Sequence, residues 1–174
     1  ANDFRGQAKV HLQQGDVDRS MGEYERALGH YESSYSLSAA FDDKPSIALA
    51  EMLKAGVYFR LSRWDLARKA YENALAYYRA VNDDANIALA LMGIGETYFR
   101  QRRYGEALNS FTQAQHTLDS DDLISDARLH LDLGNVYRAM NDGNTALRYF
   151  RDGANSLRAR KTAKKYEALL LFSI

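Results

Sequence analysis

Tyr104-Gly105-Glu106-Ala107-Leu108-Asn109-Ser110-Phe111 sets an aromatic residue, a small residue three positions on, and a second aromatic four positions after that. The pattern returns at Tyr24, Ala27 and Tyr31 and at Trp64, Ala67 and Tyr71, so the small residue recurs at 27, 67 and 107, a step of 40 residues. Ala146 and Phe150 continue it 39 residues later. A register this regular predicts a repeat protein, in which each unit buries its apolar face on its neighbours.

Working outward from Tyr104, small or apolar residues stand at Leu91, Ile94, Gly95 and Tyr98 on one side and at Ala107, Leu108, Phe111 and Ala114 on the other. Both sets have helical spacing, and Gln101-Arg102-Arg103 breaks them apart, so each unit is expected to be a hairpin of two amphipathic helices. A glycine within a helix costs about 1 kcal/mol relative to alanine. Gly95 therefore predicts a close helix crossing, with Ala107 opposite and Tyr98 and Phe111 filling the space beside it. Ala55, Tyr58, Trp64, Ala67, Tyr71 and Ala74 take these places in the second unit, and Gly134, Tyr137, Ala146, Phe150 and Gly153 in the fourth. The first unit keeps Gly15, Tyr24, Ala27 and Tyr31 but has Asp18 where the others place tyrosine. A carboxylate there predicts an end that faces solvent, as a cap or a frayed start.

Leu133-Gly134-Asn135-Val136-Tyr137, with Ala146 and Phe150 downstream, resembles the tetratricopeptide repeat signature of Leu-Gly-x-x-Tyr followed by Ala and Phe. The step is longer than the roughly 34 residues usual for that family. The extra residues follow the second helix, as in Leu75-Ala76-Tyr77-Tyr78-Arg79-Ala80-Val81-Asn82, and lead into acidic turns at Asp42-Asp43, Asp83-Asp84 and Asp121-Asp122. Longer second helices are expected, with Asp or Asn near the next N-cap. This is similar to the long-repeat branch of the family, found in kinesin light chains, spindle-orientation adaptors and bacterial peptide-responsive regulators. The resemblance implies an all-α, right-handed superhelical solenoid of antiparallel helix pairs. The pairs are expected at 8–41, 48–81, 88–121 and 127–160, followed by a C-terminal helix at 162–174, as one domain over 1–174 that is a fragment of a larger protein.

In that family the first helix of each pair lines a concave groove that takes a peptide or protein segment. Carried over by position, the groove would use Leu49, Met52, Gly56, Phe59 and Arg60 in the second unit. It would use Leu89, Met92, Glu96, Phe99 and Arg100 in the third, and Arg128, Leu131, Asn135, Arg138 and Ala139 in the fourth. Met and Phe suit apolar side chains, and the amide of Asn135 can donate and accept at once, which suits an extended backbone. Arg60 and Arg100 share one place a repeat apart, with Arg138 one residue off it, which predicts a ladder for an acidic partner. The competing assignment puts Met52 and Met92 in the core and Phe59 and Phe99 against the next unit, because a shift of one residue in helical phase exchanges the two sets.

The 174 residues are 46% hydrophobic, with one proline, no cysteine and a formal net charge of zero. Lack of cysteine excludes disulfides and thiolate chemistry, and no apolar run is long enough to span a membrane. No targeting signal can be read, and a cytoplasmic location is expected. Gly93-x-Gly95 lies within a helix and lacks the third glycine of a dinucleotide loop, since Tyr98 stands there. His11, His30, His116 and His130 form no HExxH pair, so no cofactor, metal or catalytic residue is assigned and the chain is read as non-enzymatic. The basic run Arg158-Ala159-Arg160-Lys161-Thr162-Ala163-Lys164-Lys165 lacks the interleaved aromatics of a nucleic-acid site and reads as an exposed turn. Leu169-Leu170-Leu171-Phe172 makes the last helix apolar enough to predict self-association. Function then narrows to a scaffold that recognises a protein or peptide segment. The alternative is a regulatory or oligomerisation module of a larger signalling protein, such as a transcription regulator, sensor kinase or nucleotide cyclase.

Overall fold

The computed structural model describes residues 3–118 and 122–159, and all their regular structure is helical. The helices are α1 (Phe4–Met21), α2 (Tyr24–Ala40), α3 (Lys44–Arg60), α4 (Trp64–Ala80), α5 (Asp84–Arg100), α6 (Tyr104–Thr117), α7 (Leu123–Ala139) and α8 (Gly143–Ala159). Their first residues fall at 4, 24, 44, 64, 84 and 104, so the 40-residue repeat is two half-repeats of 20.

The turns enforce this spacing. Gly22, Asp42, Ser62, Asn82, Arg102 and Asn141 all have positive φ. Around each, two backbone N–H groups turn back onto the preceding helix, as when Arg102 N donates to Phe99 O at 3.0 Å and Arg103 N to Tyr98 O at 2.9 Å. This left-handed termination satisfies carbonyls that the helix end would leave orphaned. Only the first of these turns uses glycine, so the other five accept a small strain at a residue with a side chain.

The pairs begin four residues before the expected 8, 48, 88 and 127, at 4, 44, 84 and 123. Their first turns carry little apolar periodicity but are held by capping. Asp3 accepts from Gly6 N and Asp122 from Ser125 N, while Pro45 sits at the head of α3, where a missing N–H costs nothing. The second helices α2, α4 and α8 run 17 residues each, as the long repeat implies, and α6 stops after 14. The helix expected at 162–174 lies outside the described residues.

The helices group into two compact units, Ala1–Asp83 with α1–α4 and Asp84–Ile174 with α5–α8. In the first, Leu12, Ala27, Tyr31, Ala50 and Val57 form the core, flanked by Tyr24, Leu28, Tyr35, Leu53 and Leu61. In the second, Ala127, Ala146, Phe150, Ala154 and Leu157 pack with Leu131 and Tyr137. The close crossings are present. A Cβ at Gly15 would lie 2.5 Å from the ring of Tyr31, at Gly95 2.6 Å from that of Phe111, and at Gly134 2.3 Å from that of Phe150.

Asp18 departs from its expected solvent-facing role. It is only 3% exposed, with Arg26 of α2 at 3.2 Å from one carboxylate oxygen and His30 at 3.5 Å from the other. Charge supplied by the paired helix replaces the aromatic packing that the other units use at this position.

Candidate functional site

Within each unit the two first helices touch each other, α1 against α3 and α5 against α7, while among the described residues α2 does not touch α4 and α6 does not touch α8. The first helices thus hold the narrower side, and what they expose there is the candidate surface.

The exposed stripe is set by helical phase. Leu49 and Leu89, at matching places in α3 and α5, are 43% and 38% exposed, whereas Met92 is 0% exposed. Met92 is therefore a core residue and is removed from the groove assignment. Met52 and Leu131 are half-buried, and Leu131 leans on the core of the second unit. Phe59 meets Trp64 edge-on at 5.1 Å and Phe99 lies 6.0 Å from Tyr104, so each ring covers the start of its own partner helix. Gly56 of α3, Glu96 of α5 and Asn135 of α7, one to each repeat, are half-buried on their first helices.

In the first unit this stripe opens into a cleft of about 590 Å³ between α1, the start of α2 and α3, lined by Arg19, Met21, Tyr24, Gly56 and Arg60 among others. A Cβ at Gly56 would meet only the Tyr71 hydroxyl, at 4.0 Å, so this wall of the cleft has room for a side chain. Arg60 Nε donates to the Tyr24 hydroxyl at 3.3 Å, and Arg19 pairs with Asp16 at 2.9 Å. Two guanidinium groups border one cleft.

The second unit joins several of the sequence candidates to one another. Arg128 of α7 donates to Glu96 of α5 at 3.1 Å and lies 4.0 Å from Asp132. Arg138 donates to Asn135 Oδ1 at 2.9 Å and stands over the Phe150 ring at 5.7 Å. Arg100 contributes its charge to the neighbourhood of Asp132. The three arginines thus take three different settings: Arg60 on a tyrosine hydroxyl, Arg100 near a carboxyl, and Arg138 on an amide.

Asp132 was not singled out in the sequence, and it is the most perturbed group of this surface. Its Oδ2 is buried without a hydrogen-bond partner. Burial pushes its carboxyl up to about 8, the negative charge of Glu96 pushes the same way, and Arg128 and Arg100 only partly oppose them. Below that value it presents a proton to donate.

A second polar cluster binds α7 to α8. His130 and Ser156 hold the Asp126 carboxyl below its ordinary range, their hydrogen bonds outweighing its burial. Burial works to lower the pKa of His130, but the bonds to Asp126 prevail and raise it. Ser156 donates to Asp126 at 2.6 Å rather than to the imidazole, so this is not the order of an activated nucleophile. His11 and His30, far apart in sequence, come within 3.2 Å through their Nδ1 atoms. Among the described residues no group of three His, Asp or Glu is placed to hold a metal ion, and no helix is long and apolar enough to cross a membrane.

Hairpins of half-repeat 20, with glycine under a buried aromatic ring in three of the four repeats, define a helical-repeat protein. The chain belongs to the tetratricopeptide repeat family, whose models match it over residues 5–76 and 46–116. No curated protein matches it by sequence. Among solved structures it is similar to BtubC (BKLC) from P. vanneervenii, at 18% identity and TM-score 0.83, covering 93% of this chain and 67% of that one. It is similar to aspartyl phosphate phosphatase F from Bacillus subtilis at 16% identity and TM-score 0.88, covering 99% and 45%. A Rap protein complexed with competence and sporulation factor matches at 15% identity and TM-score 0.81, covering 96% and 47%. The chain spans less than half the length of the last two, and at such identity the likeness concerns the fold, an all-α solenoid.

Proposed function

We propose that the chain is a non-enzymatic scaffold that binds an extended peptide or protein segment along the exposed faces of its first helices. The observation that supports this is what the first helices expose within each unit: Leu49 lies open on the helix that carries Gly56 and Arg60, and Leu89 on the helix that carries Glu96, whose carboxylate meets Arg128 of α7. Asn135 and Arg138 already form a side-chain bond that a peptide amide could exchange for its own. The Arg19–Arg60 cleft suits an acidic side chain of the partner. The relative solved with competence and sporulation factor bound lends a precedent on this fold. A cytoplasmic setting fits this role.

A second reading makes the repeats a sensor within a larger signalling protein, with the bound segment as its input. It is favoured by the aspartyl phosphate phosphatase and the Rap protein among the neighbours, each more than twice the length matched here.

Capture of partners by the wild-type chain and by the Asn135→Ala, Arg100→Ala double variant tests the surface. Partners should be lost from the variant, with at least a tenfold fall in affinity for any that is purified. Equal capture by both would place binding elsewhere.

A further inference from the structure

A cleft of about 430 Å³ opens on another side of the first unit, between α2, α3 and α4, away from the Arg19–Arg60 cleft. Its size is ordinary for a small-ligand pocket. Tyr35, Ile47 and Tyr77 supply apolar and aromatic walls, and Glu51, Asn73 and Lys44 supply the polar groups. Glu51 is 6% exposed, so its carboxylate stands in a setting where it must be compensated.

The compensation is incomplete. Glu32, Lys54 and Glu51 form a row of alternating charge, with Lys54 Nζ 2.7 Å from Glu32 and 3.2 Å from Glu51 Oε1. Lys54 also lies over the Tyr35 ring at 4.7 Å. The row then ends. Among the described residues Glu51 Oε2 receives only the amide of Asn73 at 3.5 Å, a long and uncharged contact at the edge of hydrogen bonding. The next member of an alternating row is a cation. Lys44 does not fill that place, since its ammonium is turned to Asp42 at 4.0 Å on an exposed side chain. An anion would meet Glu51 directly and is disfavoured.

We propose that this cleft is a second binding site, which takes a guanidinium or ammonium group on a short apolar stem, the cation resting on Glu51 and the stem between Tyr35, Ile47 and Tyr77. Charge pairing in a recessed site and the two tyrosine side chains that line it both favour such a group. The same chemistry is offered by a free small organic cation and by an arginine or lysine side chain of a partner.

The test is a titration of the 174-residue chain, followed by amide chemical shifts, with n-butylguanidinium, with a capped Gly-Arg-Gly peptide, and with n-butanol as the uncharged counterpart. Saturable shifts centred on Tyr35, Ile47, Glu51 and Tyr77 are expected with millimolar affinity for the guanidinium, and at least tenfold weaker response to butanol. Tighter binding of the peptide than of butylguanidinium assigns the site to a partner's side chain, and the reverse order to a free cation. Glu51→Gln should weaken cation binding at least tenfold. Because that variant could disturb the Lys54 row, Asn73→Arg provides a second approach: Asn73 is exposed, and an arginine there would lay its own guanidinium on Glu51. Asn73→Arg should abolish binding of the probe while leaving the fold intact, and Glu106→Gln, at an exposed carboxylate of the second unit, should leave probe binding unchanged. Butanol binding as well as butylguanidinium, no saturation by either cation, or undiminished binding by a folded Asn73→Arg would overturn the proposal.

Discussion

Gly95→Leu should lower the melting temperature by about 10 °C, because overpacking of a filled core costs about 3 kcal/mol and a chain of this size loses about 2–4 °C per kcal/mol. A Cβ at Gly95 would stand 2.6 Å from one ring carbon of Phe111 and 2.7 Å from another, and that ring is 1% exposed, with nowhere to retreat. Phe111→Ala opens the opposite defect, a cavity beside a helix crossing, at a cost of about 3–5 kcal/mol. Combined, the two changes should cost less than their sum by about 2 kcal/mol or more, since the leucine enters the space the ring vacates. Thermal or denaturant unfolding of the four proteins measures the coupling. Additive effects would mean that Gly95 is not there to admit the ring. The second repeat shows how the fold accommodates a Cβ at this crossing: Ala55 replaces the glycine, and Tyr71, in the place of Phe111, is half-buried instead of enclosed.

Stability should fall as pH rises from about 6 to 9, and Asp132→Asn should remove much of that fall. The unfolded chain loses the Asp132 proton near the ordinary 3.8, while the folded chain keeps it up to about 8. Between those values the folded state binds the extra proton. Its contribution is complete below the unfolded value and is lost as pH rises through the folded one, at a slope of up to about 1.4 kcal/mol per pH unit. His130, whose pKa is raised by Asp126 against the effect of burial, loses its contribution in the same direction above its ordinary 6.5. Asp126, held low by His130 and Ser156, acts only at the acid end. A wild-type melting temperature about 5 °C lower at pH 9 than at pH 6 is expected, with a distinctly flatter profile for Asp132→Asn. Parallel profiles would show that Asp132 is ionised in the folded chain.

How far the sequence reached depends on the kind of residue. Gly95, Ala107 and Phe111 were legible because small and aromatic residues repeat at a fixed step, and each repetition marks the same close crossing within its own hairpin. The stripe was legible only to within one residue of helical phase. That uncertainty sent Met92 inside, at 0% exposed, while Leu49 and Leu89 came to the surface. Charged residues were the hardest to read. Asp18 and Asp132 look like solvent-facing carboxylates in the sequence, but their surroundings come from other helices and turns: Arg26 and His30 for Asp18, Glu96 and Arg100 for Asp132. Glu51 and Lys54 likewise resemble an ordinary surface pair three residues apart, and only Glu32 and Asn73 on the neighbouring helices reveal an unfinished row.

Placing a photo-crosslinking amino acid at Leu49, at Leu89 and, as a comparison, at Leu66 tests the central claim most directly. All three side chains are exposed, at 43%, 38% and 49%, but the first two lie on first helices and Leu66 on the second helix α4. With a bound peptide partner, crosslinks should form from position 49, from 89 or from both and be lost on competition with excess unlabelled peptide, while position 66 gives none. Crosslinking from 66 alone would contradict a binding surface on the first helices.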